Sequence, residues 1–177
     1  METEMKNNRP LLPSERKDWD RYFLDIAKLV AKQSTCPLKH VGAVLVKDRR
    51  ILSMGYNGVP RGIRHICEDE RKCLRLEQNT KDYSKCPGMI HAEVNAVVTA
   101  AYFGISTNGS ICYCEYFPCK DCIAVLINAG VTGIVYEKPP VDDLAQKLAL
   151  DAGMTITKIL PDKKIKITYL NLDEVVK

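Results

Sequence analysis

Apolar residues at Trp19, Tyr22, Phe23, Ile26, Ala27, Leu29 and Val30 recur at the three-and-four spacing of one helix face, which predicts a helix over residues 19–30. The period then changes. Residues 41–46 and 51–56 are apolar or β-branched runs separated by the charged Lys47-Asp48-Arg49-Arg50, the pattern of a β-hairpin, and Asn57-Gly58 with Pro60 closes its second strand. From Pro60 to Gly88 no period holds, and the polar stretch carries three cysteines. Order returns after His91 with a small-residue helix built on Ala92, Val94, Ala96, Val97, Ala100 and Ala101 and ended by Gly104.

Strand-like and helix-like runs alternate from there: a strand over 110–116, a helix over 119–129 opened by Pro118, a strand over 133–136, a helix over 141–152, and two short strands near 155–159 and 165–169. A helix, a hairpin and then alternating elements predict an α/β fold, a three-layer α/β/α sandwich around a mixed five-stranded sheet. No repeat or linker interrupts residues 17–177, so a single domain with a Cys-rich insert at 60–88 is expected to follow a polar N-terminal arm, residues 1–16.

The 177 residues suffice for one hydrophobic core, in agreement with that domain count. Lys plus Arg number 26 against 22 Asp plus Glu, a net +4 with no polybasic block, which argues against duplex nucleic acid or a membrane surface as partner. No apolar run reaches membrane-spanning length and residues 1–13 lack a signal-type apolar core, so a cytoplasmic protein is expected. Eight cysteines are many for a reducing compartment, and metal binding is the leading use for some of them. Cys112 and Cys114, two apart on one strand, share a face and read as buried core thiols.

The chemistry concentrates in two helix openings, His91-Ala92-Glu93 and Pro118-Cys119-Lys120-Asp121-Cys122. Two thiolates three residues apart on a first helical turn point the same way and can chelate one ion, and the positive end of the helix dipole favours them. Adding the His91 imidazole gives three protein ligands for Zn²⁺ and leaves a fourth position open, the catalytic pattern. Glu93 stands two residues from His91, placed to move protons and not to ligate. A redox Cys-x-x-Cys pair is the rival reading, and it needs no His-x-Glu partner. The joint His-x-Glu and Pro-Cys-x-x-Cys pattern is the signature of zinc-dependent nucleobase deaminases.

Together with Val41-Gly42-Ala43-Val44, Gly55-Tyr56-Asn57-Gly58-Val59-Pro60, the run from Tyr113 through Phe117, and Ile127-Asn128-Ala129-Gly130-Val131, these motifs make the chain resemble the deoxycytidylate (dCMP) deaminases of the cytidine deaminase-like superfamily. The resemblance runs from Trp19 to the last strands. It implies Zn²⁺ on His91, Cys119 and Cys122, Glu93 as proton shuttle, and Asn57, Asn95 and Tyr113 as nucleotide contacts. The implied reaction is deamination of dCMP to dUMP, supplying thymidylate synthesis, with another cytosine nucleotide or nucleoside, or a catalytically silent zinc scaffold, as alternatives. Relatives further imply a homo-oligomer, dimer or hexamer, and control by dCTP and dTTP with Mg²⁺ at the regulatory nucleotide.

One residue departs from the family pattern. Glu115 stands where relatives carry Thr or Ala, and its carboxylate either approaches the site floor, disfavouring a phosphate, or pairs with a surface cation. The insert adds a further expectation. Some relatives carry an additional zinc there, and Cys36, Cys67, Cys73 and Cys86, with His65 as substitute ligand, are expected to hold a second, structural Zn²⁺ that pins a stretch too polar to order itself. Four unligated thiols are the alternative.

Overall fold

The computed structural model describes residues 18–63, 88–140 and 143–167. Its first helix, α1 (Trp19–Ala31), opens on Asp18, whose carboxylate accepts from the Asp20 amide, and buries Phe23, Leu24, Ala27, Val30 and Ala31. Strands β1 (Gly42–Lys47) and β2 (Arg50–Tyr56) form the expected antiparallel hairpin. Its two-residue turn puts both Asp48 and Arg49 at positive φ, the primed geometry that matches strand twist. Then follow α2 (Ala92–Tyr102), β3 (Ile111–Tyr116), α3 (Lys120–Asn128), β4 (Gly133–Lys138), α4 (Asp143–Asp151), β5 (Thr155–Ile159) and β6 (Lys164–Ile167).

The sheet is mixed, in the order β2-β1-β3-β4-β5-β6. β3, β4 and β5 run parallel to one another, and β1 and β2 lie antiparallel at one side. The expected five strands become six, because the short Lys-Ile-Lys-Ile run of β6 pairs antiparallel with β5 and turns Ile167 into the core. No helix among the described residues is long and apolar enough to cross a membrane.

Strand alternation builds the layers. Val44, Val46, Tyr113, Val135 and Ile159 pack with α1 on one face. Ala43, Leu45, Cys112, Cys114, Ile134, Tyr136 and Ile156 cluster on the other with residues of α2, α3 and α4. The reading of Cys112 and Cys114 as core thiols agrees with their full burial.

Helix α2 sits unusually close to β2. A Cβ on Gly55 would lie 2.4 Å from both the Ala92 oxygen and the Ala96 nitrogen, so only glycine admits the helix at this distance. Two side chains fix the contact: Ser53 Oγ donates to the Ala96 carbonyl at 2.8 Å, and Asn95 Nδ2 donates to the Tyr56 carbonyl at 2.7 Å. At the far side of the domain, Lys164 of β6 pairs with Asp18 and Asp20 at the start of α1, and Arg21 donates to the Leu160 carbonyl. The last strand is thereby fastened to the first helix.

Candidate active site

The parallel strand β3 leads into α3, and an isolated bridge between Gly58 and Ile90 sets the entry to α2. These two helix openings meet. His91 is the N-cap residue of α2 and Cys119 that of α3, both with extended backbone, and neither side chain makes a cap hydrogen bond. Cys119 Sγ lies 3.5 Å and Cys122 Sγ 3.3 Å from His91 Nδ1, and the three donor atoms lie within 4.8 Å of one another. A tetrahedral zinc, with bonds of about 2.3 Å to sulfur and about 2.1 Å to nitrogen, separates such ligands by roughly 3.6 Å. The donors stand close to that spacing.

Electrostatics sort the protons among these side chains. A hydrogen bond from Cys122, opposed by burial and helped by His91, lowers the Cys119 thiol to about 4. Cys122 is the thiol that keeps its proton, pushed far up by the neighbouring Cys119 and by burial. His91 is raised, chiefly by its hydrogen bond with Cys119. A cation held by His91, Cys119 and Cys122 would take the place of the shared protons, with both sulfurs as thiolates.

Glu93 is 5% exposed on the first turn of α2, and Cys122 Sγ donates to its Oε2 at 3.6 Å. Burial raises its carboxyl pKa, the direction that favours a carboxyl which accepts and returns a proton. It sits beside the donor triad.

The other expected site residues are placed less simply. Asn57 is buried with its amide engaged within the protein: Oδ1 accepts from the Val41 amide at 2.8 Å, and Nδ2 donates to the Lys39 carbonyl at 2.8 Å and to Met89 Sδ at 3.2 Å. Asn95 ties α2 to the end of β2. Tyr113 is a correction. Because Cys112 and Cys114 face α2, alternation turns the Tyr113 ring to the opposite side of the sheet, against Phe23, where its hydroxyl donates to Asp20 Oδ1 at 3.0 Å. Its side chain does not reach the His91 cluster. Glu115 pairs with Lys138 at 2.6 Å, as the surface-cation alternative anticipates.

Of the expected second cluster, Cys67, Cys73, Cys86 and His65 lie outside the described residues, as does the arm 1–16. Cys36 is buried and belongs to no metal-binding group among the described residues. Lys39, which carries no motif in the sequence, packs on the face of Tyr116 with Nζ 3.5 Å from the ring centroid.

Residues 17–138 match the family described as the cytidine and deoxycytidylate deaminase zinc-binding region, a span that contains both helix openings. The chain belongs to the cytidine and deoxycytidylate deaminase family. Zinc is therefore the cation that the His-Cys-Cys cluster of this deaminase fits. Among curated relatives it is 37% identical to ComE operon protein 2 of Bacillus subtilis, over 85% of this chain and 76% of that one. It is 32% identical to the deoxycytidylate deaminase of Pongo abelii, over 86% of each chain. Among solved structures, the dCMP deaminase of cyanophage S-TIM5 in complex with dCMP and dUMP aligns with a TM-score of 0.67 and 28% identity, over 85% of this chain and all of that one.

Proposed function

We infer that this deaminase hydrolyses the C4 amine of dCMP, giving dUMP and ammonia. The observation that carries the reading is the buried Glu93 carboxyl set beside a three-donor cluster in a chain one third identical to deoxycytidylate deaminases. His91, Cys119 and Cys122 would hold the zinc, which when bound supplies the Lewis acidity that makes water nucleophilic near neutral pH. Glu93 takes one proton from the attacking water and delivers it to N3 of the base as the water oxygen adds to C4. It then carries the second water proton to the amine, the C4–N bond breaks, and ammonia leaves with N3 still protonated. A free mononucleotide needs no extrusion from a duplex, which suits a chain of net charge +4.

Asn57 contributes to nucleotide binding through the lone pair of Oδ1 that the Val41 amide leaves over, and Asn95 through its hold on the strand end beside His91. A reducing cytosol suits a site that needs two thiolates. Assembly into dimers or hexamers has support in the exposed Val98, Tyr102, Phe103 and Ile105 along and after α2. Control by dCTP and dTTP with Mg²⁺ rests on the family resemblance alone.

Turnover of dCMP, CMP, dCTP and deoxycytidine, assayed side by side on zinc-loaded protein, tests the reading. Release of ammonia from dCMP in preference to the others is expected. Activity confined to another of the four would reassign the substrate.

The proposed second zinc, on Cys36, Cys67, Cys73 and Cys86 with His65 as substitute, has its own measurement. Metal analysis of protein purified without chelator is expected to give about two zinc per chain, falling to about one in Cys67→Ser. One zinc per chain in the wild type removes the second site.

A further inference from the structure

Two lysines from distant parts of the chain meet one aromatic ring, that of Tyr116, at the end of the strand that leads to Cys119. Lys39 Nζ lies 3.5 Å from the centroid of the Tyr116 ring; Lys138 Nζ lies 4.6 Å from the same centroid and donates to the phenol oxygen at 3.1 Å. Tyr116 ends β3 three residues before Cys119, and Lys138 ends β4. Both therefore stand at the carboxyl ends of parallel strands, where open α/β sheets receive their ligands.

Lys138 forms an ion pair with Glu115 at 2.6 Å, and that pairing absorbs the one carboxylate on β3 that would repel an anion arriving here. Lys39 packs on the ring as well, and its backbone is fixed. Asn57 Nδ2 donates to the Lys39 carbonyl while Asn57 Oδ1 accepts from Val41, two residues on, so the buried amide grips the chain on both sides of His40. A cation held over a ring face is fixed in position by the ring quadrupole, and an ammonium carries three N–H donors suited to phosphate oxygens. The chemistry needs such a group. His91, Cys119, Cys122 and Glu93 serve the base and the water, and none of them suits a dianionic phosphate.

We propose that Lys39, seated on Tyr116 and set there by Asn57, is the specificity-determining contact for the 5′-phosphate of the nucleotide. The assignment rests on the deaminase reading above and adds what selects a nucleotide over its nucleoside.

Binding of dUMP and of deoxyuridine to zinc-loaded protein, measured by calorimetry and by competition against dCMP turnover, tests it in the wild type, Lys39→Met and Lys39→Arg. Methionine keeps an apolar stem over the ring without the charge. Lys39→Met is expected to weaken dUMP and raise the KM for dCMP by about 10- to 100-fold, with deoxyuridine binding changed by less than about twofold. Lys39→Arg should return to within about fivefold of the wild type, and added salt should weaken dUMP binding in the wild type far more than in Lys39→Met. Equal weakening of dUMP and deoxyuridine, or dUMP binding within about twofold of wild type in Lys39→Met, overturns the assignment. Turnover of dCMP by the wild type keeps the deaminase reading even where the Lys39 assignment falls; a zinc-loaded wild type inert on dCMP removes both.

Discussion

Glu93→Gln is expected to lower kcat by about three to four orders of magnitude, the upper part of the range for general acid–base catalysis, because this one side chain serves two successive proton transfers. The amide has the carboxyl's shape and can still meet Cys122, but it cannot accept a proton from water and return it. Zinc content should not change, since Glu93 contacts the cluster only through Cys122 Sγ at 3.6 Å. Thermal stability should hold or rise, because burial opposes the charged carboxylate in the native protein and the neutral isostere escapes that cost. The measurements are kcat on dCMP, zinc by atomic spectroscopy and the thermal midpoint. Turnover within tenfold of wild type at full zinc occupancy would end the shuttle assignment.

Gly55→Ala should damage stability and activity together. Its Cβ would sit 2.4 Å from two backbone atoms of α2, and backbone cannot rotate away as a side chain can. The helix must move, at a cost of about 1–3 kcal/mol or more for overpacking. Since the same helix opening carries His91 and Glu93, kcat should fall as well, which an ordinary core substitution on another element would not produce. Gly58→Ala is the stability control, since its Cβ would meet nothing closer than the Tyr56 ring at 3.6 Å. Urea midpoints for the two variants decide the matter. Equal stabilities would mean that α2 is not seated as tightly as Gly55 implies.

The catalytic cluster was legible in the sequence because each half is local. Two cysteines on one helical turn, and a histidine two residues from a glutamate, keep their relationship whatever the rest of the chain does. The family resemblance does not carry the orientation of Tyr113, which strand alternation does: with Cys112 and Cys114 toward one layer, the residue between them faces the other. The last strand was legible in the alternation of Lys164-Ile165-Lys166-Ile167, but that local pattern does not say that it joins the sheet, which happens by pairing with β5. Lys39 had no signal at all. It acquires a neighbour in Tyr116 only when β1 pairs antiparallel with β3, a juxtaposition that sequence spacing does not contain.

The two helices that open at the cluster both begin on residues that do not cap them. Ser, Thr, Asp or Asn at such a position is worth typically about 1 kcal/mol over a residue that leaves the first amides unbonded. His91 and Cys119 forgo that gain twice. Selection for thermal robustness alone would drift toward Asp or Ser at these two positions, and each such step would harden the apoprotein while erasing a ligand. A library of this chain sorted by heat resistance without an activity screen should therefore enrich sequences in which the deaminase motif is gone and the sandwich remains.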